Sequence, residues 1–403
     1  MSRRVVITSI GVCSSIGFNL EQIADNLKEK RFYFERPSFD PQIVSCPIVS
    51  VDFKKSIGPF KDRRYLNRGA LLCVAAAGDA ARNSLLDKLS LHEAGLFVGT
   101  GPNMDVGGEC PEIRQGKIGQ SDLMALWMLR FLPNTPTSAI SKITGIHGEN
   151  LTIATACSAS LQAIGEAYRK IKDGYLEIAL AGGGDSRLSP GGILAYKKAQ
   201  VIFAAGGDPQ KASRPFDKQR KGFVPGEGGA FFMLEELRHA RSRGAEIIAE
   251  IKGFGSSMDG YNMTAPQPEG LWAQVAIMNA LAEARMSPEQ IDVISAHGTG
   301  TSLNDEMEAT LIDRIYGKHK PPVIAIKSWI GHASAACGAL ELAIFLACMQ
   351  SCYLPEIRNL DESCHSGINF VRMGQNYSFS SGLIENFGFG GQNSALVVTK
   401  PPL

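Results

Sequence analysis

Short β-rich apolar runs alternate along the chain with longer stretches of helical spacing, and small residues close most of the runs. Arg4 to Ile10 reads as a first strand running into a Gly/Ser turn, and Leu20 to Lys28 as a helix. Phe32 to Pro59 is irregular with several prolines, whereas Asp62 to Leu86 has helical spacing. Leu96 to Gly99 is a strand entering a glycine-containing loop at Gly99 to Gly108, and Ser121 to Ile146 is mixed helix broken at Pro133 and Pro136. Leu151 to Ile153 is another short strand, which turns through Ala154 to Ala156 into a helix and leaves Cys157 at the junction. Glu177 to Ala181 is a strand, Ser186 to Gly229 a long connection, and Ala230 to Leu234 a further strand.

After Arg238 to Ala245, which reads as a basic, hinge-like segment, the pattern starts again. Glu246 to Ile251, Ile291 to Ser295 and Val323 to Ile326 read as strands; Leu271 to Ala284, Asp305 to Ile315 and Gly331 to Ala347 read as helices. Tyr377 to Ser380, a loop at Glu385 to Asn393 and a last strand at Ala395 to Val398 close the chain. The order predicts an α/β protein with an internal duplication: residues 1–245 form a half carrying Cys157, and residues 246–403 a half carrying His297 and His332. LTIATACSASLQAIGEA and PVIAIKSWIGHASAACGALELA both read as strand, small-residue turn with one reactive side chain, and Ala/Gly-rich helix. Cys157 and His332 are therefore expected at corresponding positions. Helices this rich in Ala and Gly suit close packing between sheets.

A chain of 403 residues is long enough for two domains or one large duplicated domain. Lys and Arg total 41 against 40 acidic residues, a formal charge of +1, so nothing global points to nucleic acid or an anionic membrane. The nine cysteines include no CxxC pair, which argues against a disulfide framework or structural zinc and for a reducing cytoplasm. The N-terminal apolar run reads as strand rather than signal peptide, and no apolar window is expected to reach membrane-spanning length, so a soluble protein is expected.

The junction gives Cys157 its interest. The unpaired N–H groups and positive dipole end of a helix start favour thiolate over thiol, by up to ~2 kcal/mol in a partly buried site. A free cysteine is otherwise a small buried hydrophobe. His297, in HGTGT, follows an apolar strand beside Thr299 and Thr301; it reads either as a satisfied structural residue or as part of a site. His332, in KSWIGH, is placed at a helix start, which favours the neutral ring and a role as hydrogen-bond donor to an oxyanion. Lys327 and Glu308 are a candidate buried pair, most simply a structural salt bridge. The GFGG run at Gly388 to Gly391 lets backbone N–H groups approach a reacting carbonyl.

TACSAS, HGTGT, KSWIGH and NFGFGG, in that order and spacing, resemble the signature set of the β-ketoacyl-acyl carrier protein synthases, most closely the elongating, stand-alone type. The resemblance runs over most of the chain and includes SRPFDKQRKGF. It implies a thiolase fold, an α-β-α-β-α sandwich of two like halves, each with a five-stranded sheet, working as a homodimer or as a heterodimer with a chain-length-factor-like subunit. It also implies decarboxylative Claisen condensation of an acyl chain with malonyl-acyl carrier protein, with no cofactor beyond the phosphopantetheine that arrives on the carrier. By the same resemblance Cys157 takes the acyl group and His297 and His332 polarise the malonyl thioester. Lys327 and Glu308 support the histidines. The N–H groups of Cys157 and Phe389 form the oxyanion hole, with Phe389 also a gate, and Gly388 and Gly390 belong to the same loop. Thr299 and Thr301 contact the pantetheine arm, Tyr196 stands where an acyl-pocket phenylalanine is usual, and Arg63 and Arg64 match a carrier-docking helix, with Lys197, Lys198 and Lys211 as further candidates. Tyr196, SLND after HGTGT and Gln392 after GFGG look more like specialised polyketide or polyene enzymes than housekeeping fatty-acid synthases. A thiolase would carry a second cysteine in place of Phe389, and a partner-type subunit would lack Cys157. A Cys/His/His zinc site is disfavoured because no fourth ligand accompanies the three.

Overall fold

A computed structural model describes residues 3–105, 108, 115–117, 119 and 124–401. Ser121 and parts of the loop and mixed region expected between residues 99 and 146 lie outside the described residues. Among the described residues ten strands build the main sheet: β1 (Val5–Cys13), β2 (Gly95–Gly99), β3 (Asn150–Ile153), β4 (Ile178–Ser186), β5 (Glu227–Glu236), β6 (Ala249–Met258), β7 (Val293–Ser295), β8 (Val323–Ile324), β9 (Ser381–Gly388) and β10 (Gln392–Thr399). Their spatial order is β3-β2-β4-β5-β1-β6-β10-β9-β7-β8. Read inward from either edge, the two fives have the same order and the same mixture of pairings. In each, the outer three strands are parallel and the inner two join antiparallel. The duplication expected from the sequence is therefore present in the topology. The two five-stranded sheets meet edge to edge, through the pairs Val5–Ile251, Val6–Glu250 and Ile7–Ala249 of β1 and β6.

Four long helices form the centre of the remaining layers: α1 (Arg68–Asn83), α2 (Ala159–Lys172), α3 (Leu271–Ala284) and α4 (Cys337–Ser351). α1 covers β1, β4 and β5 on one outer face, and α3 covers β6 and β10 on the other. Between the sheets, α2 touches β2 and β4 on one side and β6 and β10 on the other, and packs on α4. α4 is buried on every side as far as Met349, which is why its sequence, CGALELAIFLACMQS, shows no amphipathic stripe. Ser334–Ser351 is in fact long and apolar enough to cross a membrane by length and composition, contrary to expectation, but its apolarity serves this central layer.

Several expected boundaries change. The helical stretch at Asp62 to Leu86 divides into a 3-10 turn, Lys61–Tyr65, and α1, because Asn67 caps α1 by accepting from the N–H of Ala70. The long connection after β4 contains the helix Pro190–Lys198, capped by Ser189. The basic segment after β5 is no hinge: Leu237–Ser242 is a helix capped by Glu236, and Glu235 pairs with His239 and Arg243. The expected loop from Glu385 to Asn393 is a hairpin, with Gly388 opposite Gln392, and only the tip turns, through Gly390 and Gly391 at φ of 84° and 76°. The correspondence of Cys157 with His332 also shifts. The 3-10 turns Ala156–Ser158 and Ser334–Ala336 precede α2 and α4, and Ala156 and Ser334 share a left-handed φ of 48° and 51°. Cys157 thus corresponds to Ala335, and His332 lies three residues earlier.

The small residues matter most where β2 meets the start of α2. A Cβ on Gly99 would come within 2.4 Å of the backbone of Ser160, just past the Cys157 turn. Gly99→Ala is expected to cost about 1–3 kcal/mol, read as a lower thermal midpoint by circular dichroism. An unchanged midpoint would mean that this strand–helix contact can open without loss.

Candidate active site

β3 and α2 place Cys157 on a sharp turn: Ala156 in the left-handed region aims the next residue out of the sheet, and Ser158 Oγ ties the turn to Asn386 O (3.0 Å) and Gln392 O (2.6 Å) of the β9–β10 hairpin. Cys157 opens onto a cavity of about 410 Å3. His297, His332, Thr299, Thr301, Gly388 and Phe389 line it with Cys157, so the motifs expected to act together are brought together. Tyr196 and Gly390 are not in its wall. Tyr196 instead hydrogen-bonds Ser334 Oγ at 2.7 Å. Gln200 and Lys221 stand on the same wall and on an adjoining surface groove; Lys221 belongs to the SRPFDKQRKGF stretch, whereas Gln200 lies in no motif.

His332 Nε2 lies 3.3 Å from Cys157 Sγ, and the two imidazoles meet edge to face with centroids 5.7 Å apart. One donor atom from each of Cys157, His297 and His332 lies within 4.8 Å of the others. Hydrogen bonds on the far sides of the rings decide their tautomers. His332 Nδ1 accepts from the Ser334 N–H at 3.0 Å; His297 Nδ1 accepts from Lys327 Nζ at 3.0 Å, since an ammonium can only donate. Each ring therefore carries its proton on Nε2. That makes the pair hydrogen-bond donors toward the cavity rather than a metal-ligand set, which would need those lone pairs.

Burial first, and then the charge of Lys327, push His332 down to about 3; burial, Lys327 and His332 hold His297 well below its ordinary value. Neutrality of His332 was expected from a helix start, but its cause is burial beside a lysine, because the helix begins only at Cys337. The expectation for Cys157 is overturned in direction: burial pushes its thiol up to about 11, against the pull of Lys327, the Phe389 N–H and Arg187. A short 3-10 entry to α2 does not outweigh desolvation.

The expected Lys327–Glu308 pair is also corrected. Lys327 pairs with Glu341, and its Nζ also donates to His297 O at 2.5 Å. Burial works against its charge, yet Glu341 and neighbouring groups hold its pKa above the usual value. Glu308 instead accepts from the backbone N–H groups of His297 (2.6 Å) and Gly298 (2.8 Å), while Asp305 accepts from Thr299 (3.0 Å) and Gly300 (3.1 Å). HGTGT is thus wrapped around two buried carboxyls. Glu341 and Asn386 were missed. Glu341 is the single charge in α4, which was the available signal, and Asn386 Nδ2 bonds its second oxygen at 2.5 Å.

None of the docking candidates lines this cavity, though Lys197 lies on the groove that adjoins it. Arg63 and Arg64 are exposed on the Lys61–Tyr65 turn, lying over the rings of Phe53 and Tyr65, and Lys197 and Lys198 are exposed on Pro190–Lys198. Asp40 pairs with Lys197 at 2.5 Å and so offsets part of its charge.

Comparison with known proteins agrees over the whole chain. Residues 2–240 match the family model for the beta-ketoacyl synthase N-terminal domain, and residues 248–361 that for the beta-ketoacyl synthase C-terminal domain. The 3-oxoacyl-[acyl-carrier-protein] synthase 2 of Coxiella burnetii is 33% identical, covering 99% of each chain. The tetracenomycin polyketide synthase ketoacyl synthase alpha subunit of Streptomyces glaucescens is 32% identical, over 99% of this chain and 97% of its own. The structure of the ishigamide ketosynthase/chain length factor superposes with a TM-score of 0.90 at 28% identity, covering both chains completely.

Because the folded protein keeps His332 neutral, the unfolded chain binds a proton near pH 6.5 that the folded one refuses until about pH 3. Stability therefore falls as pH drops from about 6.5, by about 1.4 kcal/mol per pH unit for each such histidine. Between pH 7 and 5, His332→Gln is expected to lose about 1–2 kcal/mol less than the parent protein, measured by urea unfolding at both pH values. Equal losses would contradict a neutral His332.

Proposed function

The chain belongs to the β-ketoacyl synthase family, and on that premise we propose how this ketosynthase divides its reaction among its residues. In loading, the acyl carbonyl leaves the pantetheine sulfur of acyl carrier protein and bonds Cys157 Sγ; the thiol proton of Cys157 ends on the departing sulfur. The N–H groups of Cys157 and Phe389 receive the carbonyl oxygen. Malonyl-carrier protein then loses carbon dioxide, and the electron pair moves onto its thioester oxygen as an enolate, which the Nε2–H groups of His297 and His332 hold. The enolate carbon attacks the acyl group, Cys157 leaves as thiolate and takes a proton from water to restore the thiol, and a β-ketoacyl-carrier protein is released. The observation that carries this reading is the pair of neutral imidazoles, each fixed as an Nε2–H donor beside Cys157 Sγ. Decarboxylation supplies the carbanion, so no base of ordinary histidine strength is required.

Thr299 and Thr301, on the cavity wall, contact the pantetheine arm; Phe389 is the gate between thiol and malonyl site, and Gly388 and Gly390 let its loop approach the substrate. Lys327 positions His297, and Glu308 holds the backbone of the same loop. Residues 1–245 and 246–403 are the two halves, a division supported by the repeated strand order and by the family matches that end at 240 and resume at 248. No free cofactor takes part, and the reaction belongs to a dissociated fatty-acid or polyketide system in the cytoplasm. Acyl carrier protein is the partner that delivers both substrates. The second partner is another synthase-like subunit, the same chain or a chain-length-factor-like one. β3 supports this, as the last strand of the sheet with Leu151 41% exposed.

Cys157→Ala is expected to abolish acyl loading, seen as loss of the acyl mass shift on incubation with acyl-carrier protein. His297→Ala and His332→Ala should still load but release carbon dioxide from malonyl-carrier protein a hundredfold or more slowly, on the order of losing an oxyanion donor. Equal loss of both half-reactions would assign a histidine to thiol activation instead.

Charge reversal at Arg63 and Arg64 tests the carrier surface. Arg63→Glu with Arg64→Glu should raise KM for acyl-carrier protein roughly tenfold at low salt, with turnover of a small acyl-pantetheine thioester unchanged. Parallel effects on both substrates would move the docking patch elsewhere.

A further inference from the structure

Arg187 immediately follows β4, and its side chain is only 6% exposed. Asp185 holds its Nε with both oxygens, at 3.1 and 3.0 Å. That carboxylate is itself fixed from both halves of the fold, by the N–H of Ser186 (2.8 Å) and the N–H of Ala335 (3.3 Å). Nη2 fills the space beside Gly101, where a Cβ would come within 2.0 Å of it. Nη1 is buried and, among the described residues, has no hydrogen-bond partner. A buried donor on a cation is rarely left unsatisfied, so the position calls for a missing acceptor.

The neighbours show where that acceptor would come from. The Tyr196 hydroxyl bonds Ser334 Oγ at 2.7 Å, and the Ser334 N–H donates to His332, whose Nε2 lies 3.3 Å from Cys157 Sγ. The next N–H, of Ala335, donates to the Asp185 that holds Arg187. Arg187, Asp185, Tyr196 and Ser334 are therefore a polar cluster close to the nucleophile, and none of them lines the 410 Å3 cavity that carries His297, Thr299 and Thr301. The histidine-lined cavity serves the malonyl unit and the arm; the chain already attached to Cys157 must lie against other groups.

We propose that Arg187 selects the acyl chain on Cys157: its Nη1–H donates to a neutral carbonyl or hydroxyl oxygen on that chain, so that oxygenated acyl groups load in preference to saturated hydrocarbon of equal length. The charge of Arg187 is already balanced by Asp185. A carboxylate there would bring an uncompensated buried charge, whereas a neutral oxygen satisfies the donor and adds none. A wholly hydrocarbon chain would leave Nη1 unpaired, the situation that gives a polar pocket its selectivity. The inference rests on Cys157 as the acylated residue.

The experiment follows acylation of Cys157 by mass spectrometry from hexanoyl- and β-hydroxyhexanoyl-carrier protein. The parent protein should load the β-hydroxy donor faster, and Arg187→Met should reduce that ratio by about tenfold or more. A parent protein that loads hexanoyl as fast or faster overturns the inference, whatever the variant does. So does a variant that slows both donors equally, which would make Arg187 a structural partner of Asp185. If Arg187→Met fails to fold, Arg187→Met with Asp185→Asn removes both charges and is judged by the same ratio. Acylation without oxygen preference rejects the role of Arg187 alone; no adduct from either donor rejects the reading of Cys157 and this inference with it.

Discussion

A lysine ammonium only 2% exposed fixes the geometry around Cys157. Lys327 commits its three donors to His297 Nδ1, His297 O and Glu341, so it joins the loop after β7 to the central helix α4. Asn386 extends the link to β9 through the other oxygen of Glu341. Such a pair adds little net stability, since desolvation of both ions offsets their attraction, but loss of one partner would strand a buried charge at a cost of ~3–5 kcal/mol. What the pair supplies is specification. The same positive charge adds to burial in keeping both imidazoles neutral, and at Cys157 it pulls toward thiolate without overcoming the burial that leaves the thiol protonated.

The repeated strand order gives two equivalent turns before two central helices, yet the chemistry is unequal. The first turn carries Cys157. The second carries Ala335, and the cavity-lining imidazoles of that half lie on the approaches, His297 after β7 and His332 three residues upstream. Ala335 retains a quieter task, since its N–H fixes Asp185 across the interface between halves.

Elements with one wet face were legible in the sequence, and Leu20–Lys28 has the expected bounds. Elements buried on every face were harder. β9 is buried from Ser381 to Phe387, so its alternation vanishes and the GFGG tip dominates the reading. The motifs named the side chains at the cavity because their chemistry is local: Cys157 and His297 follow strand ends, and His332 follows the short helix Lys327–Ile330 after β8. Partner identity was not local. Glu308 and Glu341 are both carboxylates on helices, and only three-dimensional placement decides which one meets Lys327. The thiol expectation failed for a related reason, because a helix start can be seen in sequence while the depth at which it is buried cannot.

The seam between β1 and β6 is three residue pairs wide, and Cys157 and the two imidazole N–H groups that face it stand on opposite sides of it. Each half has its own hydrogen-bond ladder, so the seating of one on the other rests on that seam together with the packing of α2 and α4 across it. Misplacement by an ångström is enough to lose near-attack geometry. Turnover is therefore a far more sensitive gauge of how the halves are seated than any spectroscopic measure of secondary structure.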